Sequence, residues 1–198
     1  MKMRLHLRMA LVILALIASS MVVSLAAAGG GEPVIKQVQV KAVYLYNFLH
    51  FVTWPNYQEE KEKKVVKVIG VLGDQELGRS LTELARRLRQ RGRTTIKVIL
   101  YSSYRPDLDF SACHILFIGR SQADNFKMIV ARLKGRPILT VADARHFLSA
   151  GGMIELVEME GRIRYQVNLS AARTAGLRLS SQLLESALKV IRPMPKED

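Results

Sequence analysis

The sequence predicts an α/β fold, a three-layer sandwich of helices around a mostly parallel sheet, with a small antiparallel hairpin. Three observations carry that expectation. Four short, nearly all-apolar runs recur between residues 65 and 141; such runs suit strands buried on both faces of a parallel sheet. The helical segments among them open at Asp74, Ser121 and Asp143, residue types that cap helix N-termini. After Gly151-Gly152 the pattern becomes alternating, with Ile163, Tyr165, Val167 and Leu169 set between Arg162, Arg164, Gln166 and Asn168, which marks a one-sided strand.

The chain opens MKMRLHLR, with Lys2, Arg4 and Arg8 as a positive segment. An apolar stretch runs from Met9 to Ala18 and resumes from Met21 to Leu25, and Ala26-Ala27-Ala28 precedes Gly29. That order of parts is a secretory signal peptide, with cleavage expected between Ala28 and Gly29. The competing reading is an uncleaved anchor, because Met9 to Ala28 approaches the ~20 residues a membrane span needs. Ser19, Ser20 and Ser24 dilute the run and favour cleavage. The expected organisation is a leader at 1–28, one α/β domain at 29–192 and a flexible tail at 193–198.

The formal net charge of +13 falls to +10 when Lys2, Arg4 and Arg8 leave with the leader. Export makes nucleic acid a poor partner for that charge and favours an acidic protein or an anionic membrane surface. Arg86, Arg87, Arg89, Arg91 and Arg93 crowd one segment, as a docking patch or as a solvated helix end whose cations suit the dipole. Cys113 is the only cysteine, so no intrachain disulfide forms; its apolar setting reads as a buried small hydrophobe.

The elements follow in order. After Pro33 a helix is expected to about Trp54, where Pro55 stops it. This segment, KAVYLYNFLHFVTWP, holds Tyr44, Tyr46, Phe48, Phe51 and Trp54, five aromatics of a chain with six Phe, six Tyr and one Trp. Its apolar positions go nearly all round, which fits a core helix better than a ligand pocket, with Trp54, at the exit, the member expected to be partly exposed. Strands are expected at 65–73, 94–102, 114–119 and 136–141. Helices are expected after Asp74, after Ser121, from Asp143 to about Ala150, and at 170–176 and 180–191. The hairpin turns at Glu160-Gly161, where Glu155, Glu158 or Glu160 could pair with Arg162 or Arg164.

In such a sheet, ligands bind at the C-terminal strand ends. Those ends place Gly73, Asp74, Ser102, Gly119, Ser121 and Asp143 in a candidate ligand pocket, to which the partly exposed Trp54 is added. The segment GVLGDQELG matches neither phosphate-loop fingerprint, and Asp74 would repel a phosphate. His50, His114 and His146 lie in separate elements without metal-ligand spacing. No G-x-S-x-G elbow or assembled Ser-His-Asp set is visible. No catalytic residue, metal or cofactor is expected.

Three parts of the sequence carry a resemblance. They are KAVYLYNFLHFVTWP, VIGVLGDQELG and the ordered series from RPILTVADARHFLSAGGM through the hairpin, Asn-Leu, Ala-Gly-Leu and Ser-Ser-x-Leu-Leu. Their joint order resembles the YfiR-like family over nearly all of residues 36–191. The resemblance implies a periplasmic α/β protein without known catalytic activity. The family's namesake binds the periplasmic part of an inner-membrane diguanylate cyclase and represses it, and an outer-membrane lipoprotein sequesters the namesake. It also forms homodimers and carries disulfides; one cysteine puts redox control through such bridges in doubt here. The implied function is a non-enzymatic regulator of a membrane signalling protein, most directly a brake on cyclic di-GMP synthesis. The alternative is a small-molecule sensor working with another membrane sensor such as a histidine kinase. The candidate partner surface is Gly151 and Gly152 with Arg162 and Arg164 on the hairpin, where an exposed edge can be extended or covered; Arg86, Arg87 and Arg89 are the second choice.

Overall fold

Helix α1, Gln37–Phe51, turns the aromatic run inward along one stripe. Ala42, Leu45, Phe48 and Leu49 are buried at helical spacing, while Val43 and His50 face outward. The Tyr165 ring meets Tyr44 and Phe48 edge-on at centroid distances of 5.6 and 5.4 Å. The run is therefore mainly a core element, as its spacing predicts. The helix stops before Trp54-Pro55 because the chain turns into a strand, β1 at Val52–Thr53, with Phe51 O accepting from Ser180 N at 2.9 Å.

A computed structural model describes residues 37–55, 66–92 and 96–192. The expected leader with its Ala28/Gly29 cleavage site and the expected tail lie outside the described residues. Among the described residues, no helix is long and apolar enough to cross a membrane.

The remaining elements are β2 at Lys67–Leu72, α2 at Gln75–Gln90, β3 at Ile96–Tyr101, β4 at Ile115–Ile118, a 3₁₀ segment at Arg120–Asn125 leading into α3 at Phe126–Leu133, and β5 at Leu139–Ala142. The hairpin is β6, Ile154–Met159, and β7, Arg162–Asn168; α4 at Leu169–Thr174, β8 at Arg178–Leu179, α5 at Ser181–Glu185 and β9 at Lys189–Ile191 follow. The main sheet runs β3-β2-β4-β5-β6-β7-β9. Its first five strands are parallel, β7 turns back antiparallel to β6, and β9 lies parallel to β7. β1 and β8 form a separate antiparallel pair. The three-layer expectation holds. One core joins α1 and α2 to the sheet face bearing Ile69, Val71, Phe117 and Val141. The other joins α3 and Phe147, from the turns after β5, to the face bearing Leu72, Leu116 and Ile118.

Four local expectations differ. Residues 143–150 form successive turns rather than a helix. Ser121 does not cap a helix; the segment begins as 3₁₀, with Gly119 at the N-cap position, and Ser121 Oγ donates instead to Gly73 O at 2.8 Å. The expected helix at 180–191 ends at Glu185, and Lys189–Ile191 becomes an edge strand on β7. In the hairpin, Glu155 stands opposite Gln166 and Glu158 opposite Ile163, so neither acid directly faces an arginine. The turn itself is as expected, with Glu160 and Gly161 both at positive φ.

Candidate functional site at the strand ends

The strand order reverses between β2 and β4, where a doubly wound sheet has its binding crevice. Here the chain fills it. Gly119 N donates to Leu72 O at 2.8 Å and Gly73 N to Tyr101 O at 2.9 Å. Ser121 Oγ donates to Gly73 O, and the buried Gln122 donates through Nε2 to Ser121 Oγ at 3.2 Å while its Oε1 accepts from Tyr104 N at 2.9 Å. A Cβ on Gly73 would lie 2.5 Å from Ser121 Oγ. Asp74 caps α2, accepting from Leu77 N at 2.9 Å. The structure thus brings Gly73, Gly119 and Ser121 together but commits these polar atoms to hydrogen bonds within the strand ends themselves. Ser102 is exposed on the loop after β3.

Trp54 belongs elsewhere and is not exposed. It is 4% accessible and stacks edge-on with His114, which precedes β4, at the opposite end of the parallel strands. Lys67, at the start of β2, lies over its ring at 4.8 Å. Trp54 with Cys113, His114 and Pro137 lines a small cavity of about 140 Å³.

An open cleft lies one strand further along. A cleft of about 860 Å³ is bounded by Arg120, by Asp143 to His146 and by β6 residues including Glu155 and Met159, with Gln166 of β7. Asp143 is its distinctive member. Its Oδ2 makes an ion pair with Lys41 Nζ of α1, with side chains 9% and 15% exposed. Arg120 donates to Asp143 O at 3.1 Å. Asp143 Oδ1 is buried and has no hydrogen-bond partner. A carboxylate oxygen in that state costs stability, because it has lost water without gaining a donor. Glu155 is also buried, and its Oε2 accepts from Leu148 N at 3.3 Å.

The expected partner residues occupy two places. On β7, Arg162 and Arg164 are exposed and share a sheet face with Val157 and the half-exposed Met159. Gly152 is buried before the opposite end of β6, away from these arginines, where an added Cβ would meet the Phe147 ring at 2.3 Å; its role is close packing rather than docking. Gly151 bends the backbone at φ 96°. On α2, Glu83 accepts from Arg86 Nε and Nη2 at 2.8 Å and from Arg87 Nε at 2.7 Å. These bonds, first from Arg86 and then from Arg87, hold the exposed Glu83 carboxyl at a pKa of about 2. Arg89 is exposed on the same helix.

Sequence reasoning found Asp143 but missed Lys41, Arg120, Arg145 and Glu155 around it. Lys41 was hidden inside the aromatic run, and its partner is 102 residues away. The apolar neighbours of Glu155 were the available signal, because a carboxylate inside a strand core needs a partner.

Comparison with known proteins gives one family. No curated protein matches this chain. Among solved structures, the ABC domain from Streptococcus pneumonia, in complex with L-Trp, is similar with a TM-score of 0.50 and 14% identity over 78% of this chain. A conserved domain protein from Vibrio cholerae has a TM-score of 0.44 and 18% identity over 69% of this chain. The match spans 60% of each of those chains. At this identity the first similarity bears on fold alone. The model of the family described as DUF4154, YfiR/HmsC-like, matches residues 38–187. The chain belongs to the YfiR/HmsC-like family.

Proposed function

We propose that the protein is an exported, non-enzymatic regulator of cyclic di-GMP signalling that acts in the periplasm. It binds the sensor region of an inner-membrane signalling protein, most directly to repress a diguanylate cyclase; an outer-membrane lipoprotein would relieve the repression by sequestering it. The family match over residues 38–187 carries this reading. The ordered positive, apolar and Ala-x-Ala segments before Gly29 support export. The arginine-bearing face of β6 and β7, where Met159 stands 50% exposed beside Arg162 and Arg164, supports docking on an acidic partner surface.

The test is cyclic di-GMP in a deletion strain, complemented by the full chain or by one lacking residues 1–28. The expected result is a raised level that only the full chain restores. An unchanged level would overturn repression of a cyclase, and equal rescue by both forms would overturn export. The second reading, a small-molecule sensor coupled to another membrane sensor such as a histidine kinase, is favoured by the cleft around Asp143.

A further inference from the structure

We infer that the cleft beyond the end of β5 takes an extended polypeptide segment of the protein's partner, which pairs through its main chain with the free edge of β6 between Leu156 and Met159. The inference rests on the regulatory reading for the identity of that partner, the sensor region of a membrane protein, and on the register of the sheet for the site itself.

The edge follows from where β5 stops. β5 pairs with β6 at Val141 with Ile154 and at Ala142 with Glu155, and ends there. β6 runs on to Met159. Alternate residues of a strand turn their N–H and C=O groups to opposite sides, and residues paired across an antiparallel ladder turn them both inward or both outward. Leu188 N, leading into β9, donates to Tyr165 O at 2.9 Å, and Tyr44 of α1 donates to Ile163 O at 3.1 Å. Tyr165 and Ile163 therefore turn their main chains away from β6. Leu156 stands opposite Tyr165 and Glu158 opposite Ile163, so both turn theirs away from β7, toward the empty position beyond β5. Asn168 N, of the other parity, donates to Met153 O at 2.8 Å, as this phase requires. Among the described residues no strand lies beside β6 past Ala142, and no turn or side chain bonds Leu156 C=O or Glu158 N–H and C=O.

The cleft of about 860 Å³ lies against this edge, with Arg120, Arg145 and His146 on its far wall. Apart from the Asp143–Lys41 pair, its lining sets Arg120 and Arg145 beside Glu155 and Glu158, so charge selects no ion. What the edge offers is main-chain donors and acceptors in strand register, over about 13 Å for four residues. An extended polypeptide matches these group for group, and a free edge is a template for an added strand. Glu155, Val157 and Met159 share a sheet face with Arg162, Arg164 and Gln166. Side chains of the added strand on that face lie beside Val157 and the half-exposed Met159, where apolar residues suit. The site is thus continuous with the arginine-bearing face of the hairpin, and one partner can use both. A second copy of this chain fits less well than a single segment, because Arg120, Arg145 and His146 stand where the rest of its sheet would have to lie.

Glu158→Pro and Glu158→Ala separate main chain from side chain. Both remove the carboxylate, but only proline removes the N–H that faces the cleft, and it takes no bond from the β6–β7 ladder. The probe is a peptide selected by the purified full chain from an array of hexapeptides, with Val or Thr at alternate positions and each of the twenty residues at the others. We expect it to bind Glu158→Ala within about threefold of the parent and Glu158→Pro about tenfold more weakly, the scale of one or two lost hydrogen bonds. N-methylation of alternate peptide amides should weaken binding about tenfold in one phase and be tolerated in the other, which keeps the test valid should Glu158→Pro unfold the chain. In the deletion strain, Glu158→Ala should restore the cyclic di-GMP level and Glu158→Pro should not. The inference is overturned by no binding across the array, by N-methylation tolerated in both phases, or by a folded Glu158→Pro that binds the peptide, or restores the level, as Glu158→Ala does. A level unmoved by the deletion itself would sink the regulatory reading alone, and the peptide measurements would still decide the edge.

Discussion

Lys41→Met isolates a partly buried ion pair that ties α1 to the end of β5. The two side chains are 15% and 9% exposed, far more buried than the surface pairs of α2. Removing one partner of a buried pair costs about 3–5 kcal/mol, because the remaining charge stays behind without water or counterion. The cleft beside Asp143 can admit water, so the low end, about 3 kcal/mol, is expected. With a urea m-value of about 2 kcal/mol/M, that is a fall of ~1.5 M in the unfolding midpoint. The double variant Lys41→Met, Asp143→Leu removes both charges and the unpartnered Oδ1, and should return to within about 1 kcal/mol of the parent. Urea unfolding at pH 7, followed by circular dichroism on all three proteins, checks both numbers. A midpoint shift below about 0.5 M for Lys41→Met would refute the argument, since it would place the pair among solvent-exposed contacts worth 0–1 kcal/mol.

Three further outcomes are expected. Gly152→Ala should cost roughly 1–3 kcal/mol in urea unfolding, because its Cβ would enter the Phe147 ring at 2.3 Å; Gly92→Ala, with nothing within 4 Å, should show only the smaller cost of its positive φ. Glu83 should titrate near pH 2 by carbon-detected NMR, against the ordinary 4.5, because Arg86 and Arg87 bond its charged form. Its folded pKa is depressed, so its contribution is present above about pH 4.5 and is lost as pH falls towards 2, a window that Glu83→Gln should abolish. Burial pushes the Cys113 thiol pKa up, so iodoacetamide at pH 8 should label it far more slowly in native protein than in urea; equal rates would refute its burial.

Much of the architecture was legible because its causes are local. The strands announce themselves by runs apolar on both faces, and β2 is buried at every position from Val68 to Leu72. Asp74 caps because its side chain reaches the N–H three residues on. Asn168 and Ser180 do the same for α4 and α5. What was illegible depends on distant partners. Trp54 looked like an exposed helix exit, but pairing of β1 with β8 carries it into the core. Leu188 and Val190 fit a helical pattern in isolation, yet Leu188 N donates to Tyr165 O and the segment becomes strand β9. Asp143 looked like a cap because Asp before apolar residues usually is one; Lys41 on α1 takes the carboxylate instead.

Gln122 decides where a ligand can and cannot sit. At the reversal point between β2 and β4, its amide bonds Tyr104 N on one side and Ser121 Oγ on the other, and Ser121 in turn holds Gly73 O. A Cβ on Gly119 would already lie 2.9 Å from Gly73 O, so the two strand ends are closed against each other. The crevice that this topology usually offers is occupied by side chains, and a cleft opens instead at the junction of β5 and β6. Gln122→Ala should therefore loosen this closure. It should cost about 1–3 kcal/mol in urea unfolding, the penalty for leaving Tyr104 N without its acceptor in a partly buried position. A Gln122→Ala protein as stable as the parent would refute the view that Gln122 closes the reversal point.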